Sequence, residues 1–256
     1  MCTFVILRRP DNHWPIIIGA NRDEMKDRLW QAPGRHWPDR EDVLAGKDDL
    51  AGGTWLGMND AGLVAGVLNR RGSLGPKEGF RSRGELPLEI LSHTDASDAA
   101  EAIKDINPNA YRPVNIVFTD NRDAYWLKLA ETRWGPHLVV QMIPPGISFI
   151  TSSDRNDMSS ARIRTYLPQF EKAEAPNPDT GNWADWQSLL SSRIYDPDDG
   201  PEGAMVISTD AGFGTVSSSL IALPSPNYIN INQKIKPIYL FSNGAPAANK
   251  YKPVDL

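Results

Sequence analysis

The chain of 256 residues has a single cysteine, Cys2, so no internal disulfide can form. Burial and hydrogen bonding must hold the fold, and the cysteine usage fits a reducing compartment. No apolar run approaches the roughly 18–20 residues that cross a bilayer as a helix. The first apolar stretch, Phe4-Val5-Ile6-Leu7, is short, and Arg8-Arg9 follow it, the reverse of a secretory signal. These absences predict a cytoplasmic chain with no membrane insertion. Lysine and arginine number 27 against 32 acidic residues, and no basic block stands out, so nucleic acid is not an expected partner. The histidines (His13, His36, His93 and His137) lie far apart, and HExxH, CxxC and acidic calcium-loop patterns are missing. No metal and no cofactor is expected on these grounds. Gly52-Gly53-Thr54-Trp55-Leu56-Gly57 lacks a phosphate loop's Gly-Lys-Ser/Thr ending and runs into a predicted strand. Its glycines read as sites of close backbone approach or a bulge. Gly212-Phe213-Gly214-Thr215 fails the same test, and none of Ser217, Ser218 or Ser219 sits in Gly-x-Ser-x-Gly.

What is present is a 40% hydrophobic chain, enough for one large core or two small ones. Residues 2–8 and 14–20 are rich in β-branched and aromatic types and predict an N-terminal hairpin, with Asn21-Arg22-Asp23-Glu24 at the far end. Residues 25–42, polar and holding Pro33, Gly34 and Pro38, predict a loop. Strands are predicted over 54–58, 63–69, 114–119 and 125–129. Residues 137–143 and 147–151 are predicted to pair across Pro144-Pro145-Gly146, and 204–209, 214–223 and 235–241 are predicted as further strands. Helical spacing of apolar residues marks 84–93, 96–106, 160–173 and 183–192. Strands and helices come in blocks, which argues against a parallel sheet. The expectation is an α+β fold of two mostly antiparallel sheets with helices packed outside, in one domain over residues 1–256.

Three groups of residues invite chemistry. Removal of Met1 would leave Cys2 with a thiol and a free α-amine. Such an amine, with a pKa of about 7.7–8.0, takes the thiol proton and later returns it to a leaving group. The alternative is a small apolar residue opening a strand. Arg22 and Asp23 return near Cys2 at the far end of the hairpin. A guanidinium there favours the thiolate, and a carboxylate holds the amine or orients the arginine. Adjacent strand residues point to opposite faces, so both serve one site only where the strand ends or bends. An exposed charged turn is the competing reading. Asn69, ending the apolar run 63–68, and Asn115, inside the strand at 114–119, are oxyanion donors or turn and strand residues.

Taken together, several of these strings resemble the NRDE family, also called the transport and Golgi organisation protein 2 family. They are Met1-Cys2, Ala20-Asn21-Arg22-Asp23-Glu24, Gly52 to Gly57, Asn69, Arg83-Gly84-Glu85-Leu86, Asn115, the helix carrying Arg162, and Gly214-Thr215. The resemblance implies a four-layer αββα sandwich similar to N-terminal-nucleophile hydrolases such as penicillin acylases and bile-salt hydrolases. It implies Cys2 as nucleophile and base, Arg22 and Asp23 as its tuning groups, and Asn69 and Asn115 as oxyanion donors. Arg162 would hold the site or a substrate carboxylate. The implied reaction is hydrolysis of a linear, non-peptide amide in a small-molecule amide or acyl-type substrate. The alternative is a non-catalytic binding or trafficking protein for haem or acyl-coenzyme A. The sequence departs from the family where Val216 stands in place of an arginine and Asp154 in place of an asparagine.

Overall fold

The computed structural model describes residues 2–246 and 250–256. The chain divides into two compact units, Met1–Arg28 with Pro145–Asp255, and Leu29–Pro144 with Leu256. In chain order the strands and helices begin with β1 (Thr3–Arg8) and β2 (Ile16–Met25) of the first unit. The second unit holds β3 (Trp30–Gly34), β4 (Val43–Asp48), β5 (Leu56–Asn59), β6 (Val64–Asn69), α1 (Glu85–Ile90), α2 (Ala96–Ala102), β7 (Val114–Thr119), β8 (Ala124–Thr132) and β9 (Gly135–Met142). The chain then returns to the first unit with β10 (Gly146–Ile150), α3 (Ala161–Lys172), α4 (Ala184–Leu190), β11 (Phe213–Leu223), α5 (Pro226–Ile231), β12 (Ile238–Asn243) and β13 (Lys252–Pro253).

The strands form two antiparallel sheets, so the expected α+β class is what the structure has. The first unit's sheet runs β10-β1-β2-β11-β12-β13, and the second unit's is a meander, β3 through β9 in sequence order. Alternation explains how each sheet takes its helices. Val5 and Leu7 of β1, Ile17 of β2, and Leu220 and Ala222 of β11 share one face. They pack with Ile163, Tyr166, Leu167 and Phe170 of α3 and Trp186 and Leu190 of α4. The spacing of 163, 166, 167 and 170 is one stripe of an α-helix. In the second unit Leu86, Leu88 and Ile90 of α1 and Ala96, Ala99 and Ala100 of α2 pack with Ile116, Phe118, Leu127 and Leu129.

Several expectations need correction. The segments 137–143 and 147–151 do not form a hairpin. β9 pairs with β8, while β10 pairs with β1 in the other sheet. Ile143 N–H bonds the Ala124 carbonyl, and the two prolines that follow have no N–H to extend the ladder. The predicted loop over 25–42 contains β3. It is an edge strand with a register shift between Gln31 and Gly34, the one kind of strand that tolerates Pro33. β4 was not predicted, because Gly46, Lys47 and Asp48 break its apolar run. Residues 204–209 are buried in large part but are not a strand. Their backbone is engaged by side chains: Asn21 Nδ2 donates to Met205 O at 3.0 Å and Ile207 N–H donates to Thr215 Oγ1 at 3.0 Å. β2 runs on through Asn21-Arg22-Asp23-Glu24 to Met25, because the long β11 supplies a partner for every residue there, with one extra residue of its own between Thr215 and Ser217.

The Gly-Gly-Thr-Trp-Leu-Gly string is a packing device. A Cβ on Gly53 would stand 2.4 Å from the Gly84 carbonyl carbon, on Gly57 2.4 Å from Ala45 Cβ, and on Gly46 2.3 Å from the Trp55 ring. Thr54 N–H bonds the Gly84 carbonyl at 2.9 Å, and Trp55 meets Trp30 edge-on at 5.5 Å between centroids. Gly53→Ala must push backbone against backbone, with an expected loss of about 2–3 kcal/mol in the free energy of unfolding. Chemical denaturation of this variant beside Gly203→Ala, whose Cβ would meet nothing closer than 3.5 Å and whose backbone lies outside the left-handed region, separates that clash from ordinary glycine effects.

Candidate functional site

The β1–β2 register sets the geometry around Cys2. Thr3 pairs with Asn21. Continued by one residue, the register puts Cys2 across from Arg22, on the same face of the sheet. Thr3, Asn21 and Asp23 project from the opposite face, toward α3 and α4. Cys2 is half-buried, and its Sγ–H donates to the backbone carbonyl of Asp23 at 3.5 Å. Met1, whose removal would free the Cys2 amine, lies outside the described residues.

Behind Cys2, on the helix-packed face, lies a fully buried ion pair. Arg162 Nη1 stands 3.1 Å from Asp23 Oδ2, and both side chains are 0% exposed. The same Nη1 donates to Thr3 Oγ1 at 2.8 Å, and Nη2 donates to the Glu202 carbonyl at 3.2 Å. Asp23 Oδ1 accepts from Thr215 Oγ1 at 2.7 Å. The network therefore ties α3 to β1, β2 and β11. Asn21 adds a second tie on this face. Its Nδ2 donates to the Leu190 and Met205 carbonyls at 2.9 and 3.0 Å, and its Oδ1 accepts from Ser218 Oγ at 2.6 Å.

Arg22 is only 5% exposed, so Asn21 to Asp23 is not an exposed charged turn. Its guanidinium lies 3.9 Å from Glu24, which also stands 3.7 Å from Arg28 Nε. Opposite Arg22 and Asp23, β11 carries a bulge. Thr215 pairs with Asp23 and Ser217 with Arg22, leaving Val216 as the extra residue. The bulge lets Thr215 reach Asp23 from one face while Ser217 turns to the face of Arg22.

Arg22 acts on the Cys2 thiol in the expected sense, toward its ionised form, but the net shift runs the other way. Burial pushes the thiol up from its ordinary value and the Asp23 charge adds to that. The hydrogen bond to the Asp23 carbonyl and the Arg22 charge oppose it without reversing it. The proton thus sits on sulfur near neutral pH.

The asparagines belong to the second unit. Asn69, half-buried, ends β6 and pairs with Val114, whose side chain lies in the core beneath α1 and α2. Asn115 pairs with Leu68 and takes the other face of that sheet. It is fully buried, and its Oδ1 accepts from Arg70 Nη1 at 2.6 Å and Trp126 Nε1 at 3.2 Å. Two donors on one oxygen fix the orientation of the amide. Sequence reasoning did not single out Thr3, Arg70, Trp126 or Glu202. Their involvement depends on strand register, for which the local sequence carries no signal. Among the described residues no group of three or more His, Cys, Asp or Glu side chains is placed to hold a metal ion, and no helix is long and apolar enough to cross a membrane.

Known proteins bear on this geometry. A family model described as Transport and Golgi organisation 2 matches residues 1–234. The Transport and Golgi organization protein 2 homolog of Bos taurus is 32% identical over 116 residues, 43% of this chain and 40% of that protein. The Mus musculus homolog is 31% identical over the same length and shares. The match thus spans about two fifths of these relatives. Among solved structures, a Caenorhabditis elegans ortholog of N-acylethanolamine-hydrolyzing acid amidase superposes with a TM-score of 0.59 at 13% identity, covering 90% of this chain and 96% of that one. Two variants of a conjugated bile acid hydrolase from Clostridium perfringens superpose with TM-scores of 0.50 and 0.51 at 14% and 15% identity, covering 100% of this chain and 97% of theirs. At such identities the likeness is one of fold, an N-terminal-nucleophile-hydrolase-like fold.

Two outcomes are expected. Arg162→Met, which strands a buried carboxylate, costs about 3–5 kcal/mol of stability. Adding Asp23→Leu costs less than the two single changes summed, as a double-mutant cycle in urea would show; strict additivity would mean the pair is uncoupled. In protein that retains Met1, the iodoacetamide rate at Cys2 reaches half its plateau only above pH ~8.5, where an ordinary thiol is half ionised, because the raised pKa delays the thiolate. A midpoint at or below that pH would contradict the upward shift.

Proposed function

Since the chain belongs to the Transport and Golgi organisation 2 family, we propose that it is a single-domain N-terminal cysteine amidohydrolase acting on a linear, non-peptide amide. The observation that carries this reading is a half-buried Cys2 thiol hydrogen-bonded to a backbone carbonyl that a rigid buried network holds in place. Arg162, Asp23, Thr3 and Thr215 fix the backbone whose carbonyl the thiol touches. A thiol attacks a carbonyl only once a base has taken its proton. The α-amine that removal of Met1 would free is one, on the same residue. The solved amidase and bile acid hydrolase of the same fold support the choice of an amide bond.

In this reading the α-amine takes the Cys2 proton and the sulfur attacks the amide carbonyl carbon. The C–S bond forms as the carbonyl π pair moves onto oxygen. Of the two asparagines, Asn115 is the proposed donor to that oxyanion, because Asn69 pairs with Val114 on the helix-packed face of its sheet. Collapse breaks the C–N bond, and the ammonium returns its proton to the departing amine. Water, deprotonated by the α-amine, then attacks the thioester and releases a carboxylic acid, and the proton returns to sulfur. Arg22 lies beside the sulfur as a fixed positive charge. Arg162 and Asp23 act on Cys2 only through the strands they brace.

The test begins with intact-mass spectrometry, because a lone cysteine makes any alkylation unambiguous. Protein lacking Met1 is expected to be alkylated once and to hydrolyse N-acyl p-nitroanilides, while Cys2→Ala keeps the fold and loses at least about a hundredfold in kcat/KM. Hydrolysis that survives in Cys2→Ala would sink the proposal.

A further inference from the structure

Ser217 is 1% exposed, and its Oγ has no hydrogen-bond partner among the described residues. Its neighbours on β11 differ. Thr215 bonds Asp23, Ser218 bonds Asn21 and the Ala20 carbonyl, and Ser219 lies 3.4 Å from Tyr239 Oη. A buried hydroxyl without a partner costs roughly 1–3 kcal/mol, so its retention calls for an explanation. Its direction follows from the bulge. Ser217 pairs with Arg22, and Arg22 stands across from Cys2, so the three side chains form a row on one face across β11, β2 and β1. At the far end Ser217 pairs with Asn243 of β12, which is exposed. Adjacent strands lie about 4.8 Å apart, so Ser217 is roughly 10 Å from Cys2 along the row.

Resting on the hydrolase reading, we propose that Ser217 is a substrate-binding residue, donating a hydrogen bond to a carbonyl or carboxylate oxygen on the acyl part of the amide. The chemistry of the row selects an acceptor. Arg22, between Ser217 and Cys2, offers only N–H donors. A substrate group lying over Arg22 and Ser217 must therefore present oxygen, and the hydroxyl, which can donate or accept, donates. An acyl chain joined to Cys2 and running along the row meets Ser217 at its distal end. The substrate class is an amide whose acyl chain ends in an oxygen acceptor, in place of a plain hydrocarbon tail.

The experiment compares glutaryl-p-nitroanilide with pentanoyl-p-nitroanilide, matched in acyl length and differing in the terminal carboxylate. In protein lacking Met1, Ser217→Ala is expected to lower the ratio of kcat/KM for the glutaryl over the pentanoyl probe about tenfold, as loss of a hydrogen bond to a charged group implies. The variant's Tm should be unchanged or higher, since it removes an unpaired buried hydroxyl. An unchanged ratio, or a Tm lowered by several degrees, overturns the proposal, the latter by giving Ser217 a structural role. If the unsubstituted protein hydrolyses neither probe, the hydrolase reading fails separately. Glutaryl-p-nitroanilide binding to Cys2→Ala, measured by calorimetry, then decides: binding weakened about tenfold by adding Ser217→Ala sustains the site, and absent or unaltered binding overturns it.

Discussion

The ion pair of Arg162 and Asp23 is the constraint on which the first unit depends. A guanidinium cannot shed its charge inside a protein, so a helix that buries one must be met by an anion and by further acceptors in fixed places. Asp23, Thr3 and the Glu202 carbonyl meet it. Each of these partners sits on a different segment, which makes the registration of α3 on the sheet an electrostatic matter as much as one of apolar packing. The apolar stripe of α3 brings the helix to the sheet. The charge determines where along the sheet it stops.

The consequence for Cys2 is indirect. Successive residues of β2 point to opposite faces, so the residues that brace the sheet and those that face a substrate alternate along one strand. Asn21 and Asp23 hold the helices and the segment around Met205, while Arg22 lies beside Cys2 on the other side. The bulge at Val216 continues this division into β11, with Thr215 bracing and Ser217 turned to the face of Arg22. A string of four polar residues in the second half of a largely buried strand would otherwise be costly. It is tolerated because Asn21 and Asp23 find partners on the helix side and Arg22 meets Glu24.

Much of this was legible in the residues. The N-terminal hairpin, the β7 strand, the two longer regions of helix in the last half and the antiparallel character all follow from local periodicity, which reports which faces are buried. The glycine string was legible as close backbone approach, and Gly53 against Gly84 shows what is approached. The β9–β10 hairpin was misread because two strands flanking a tight turn look alike whether they pair with each other or with distant strands. The extension of β2 through Arg22 and Asp23 was not legible either. Polar residues in a strand announce a turn unless distant partners satisfy them, and those partners, Thr215 and Arg162, lie far along the chain.

The sequence by itself determined the chemical inventory: one thiol at position 2, an Asn-Arg-Asp-Glu string within reach of it, and apolar periods that build an α+β chain. Tertiary structure decided which charge faces which. It set Asp23 and Arg162 together in the core, raised the Cys2 thiol by burying it, and turned Ser217 to the face of Cys2 by inserting one residue in a strand. Periodicity is local and survives in any fragment. The pairing of charges, the depth of a thiol and the register of a bulge are set by strands and helices more than a hundred residues apart, and only closure of the chain brings those together.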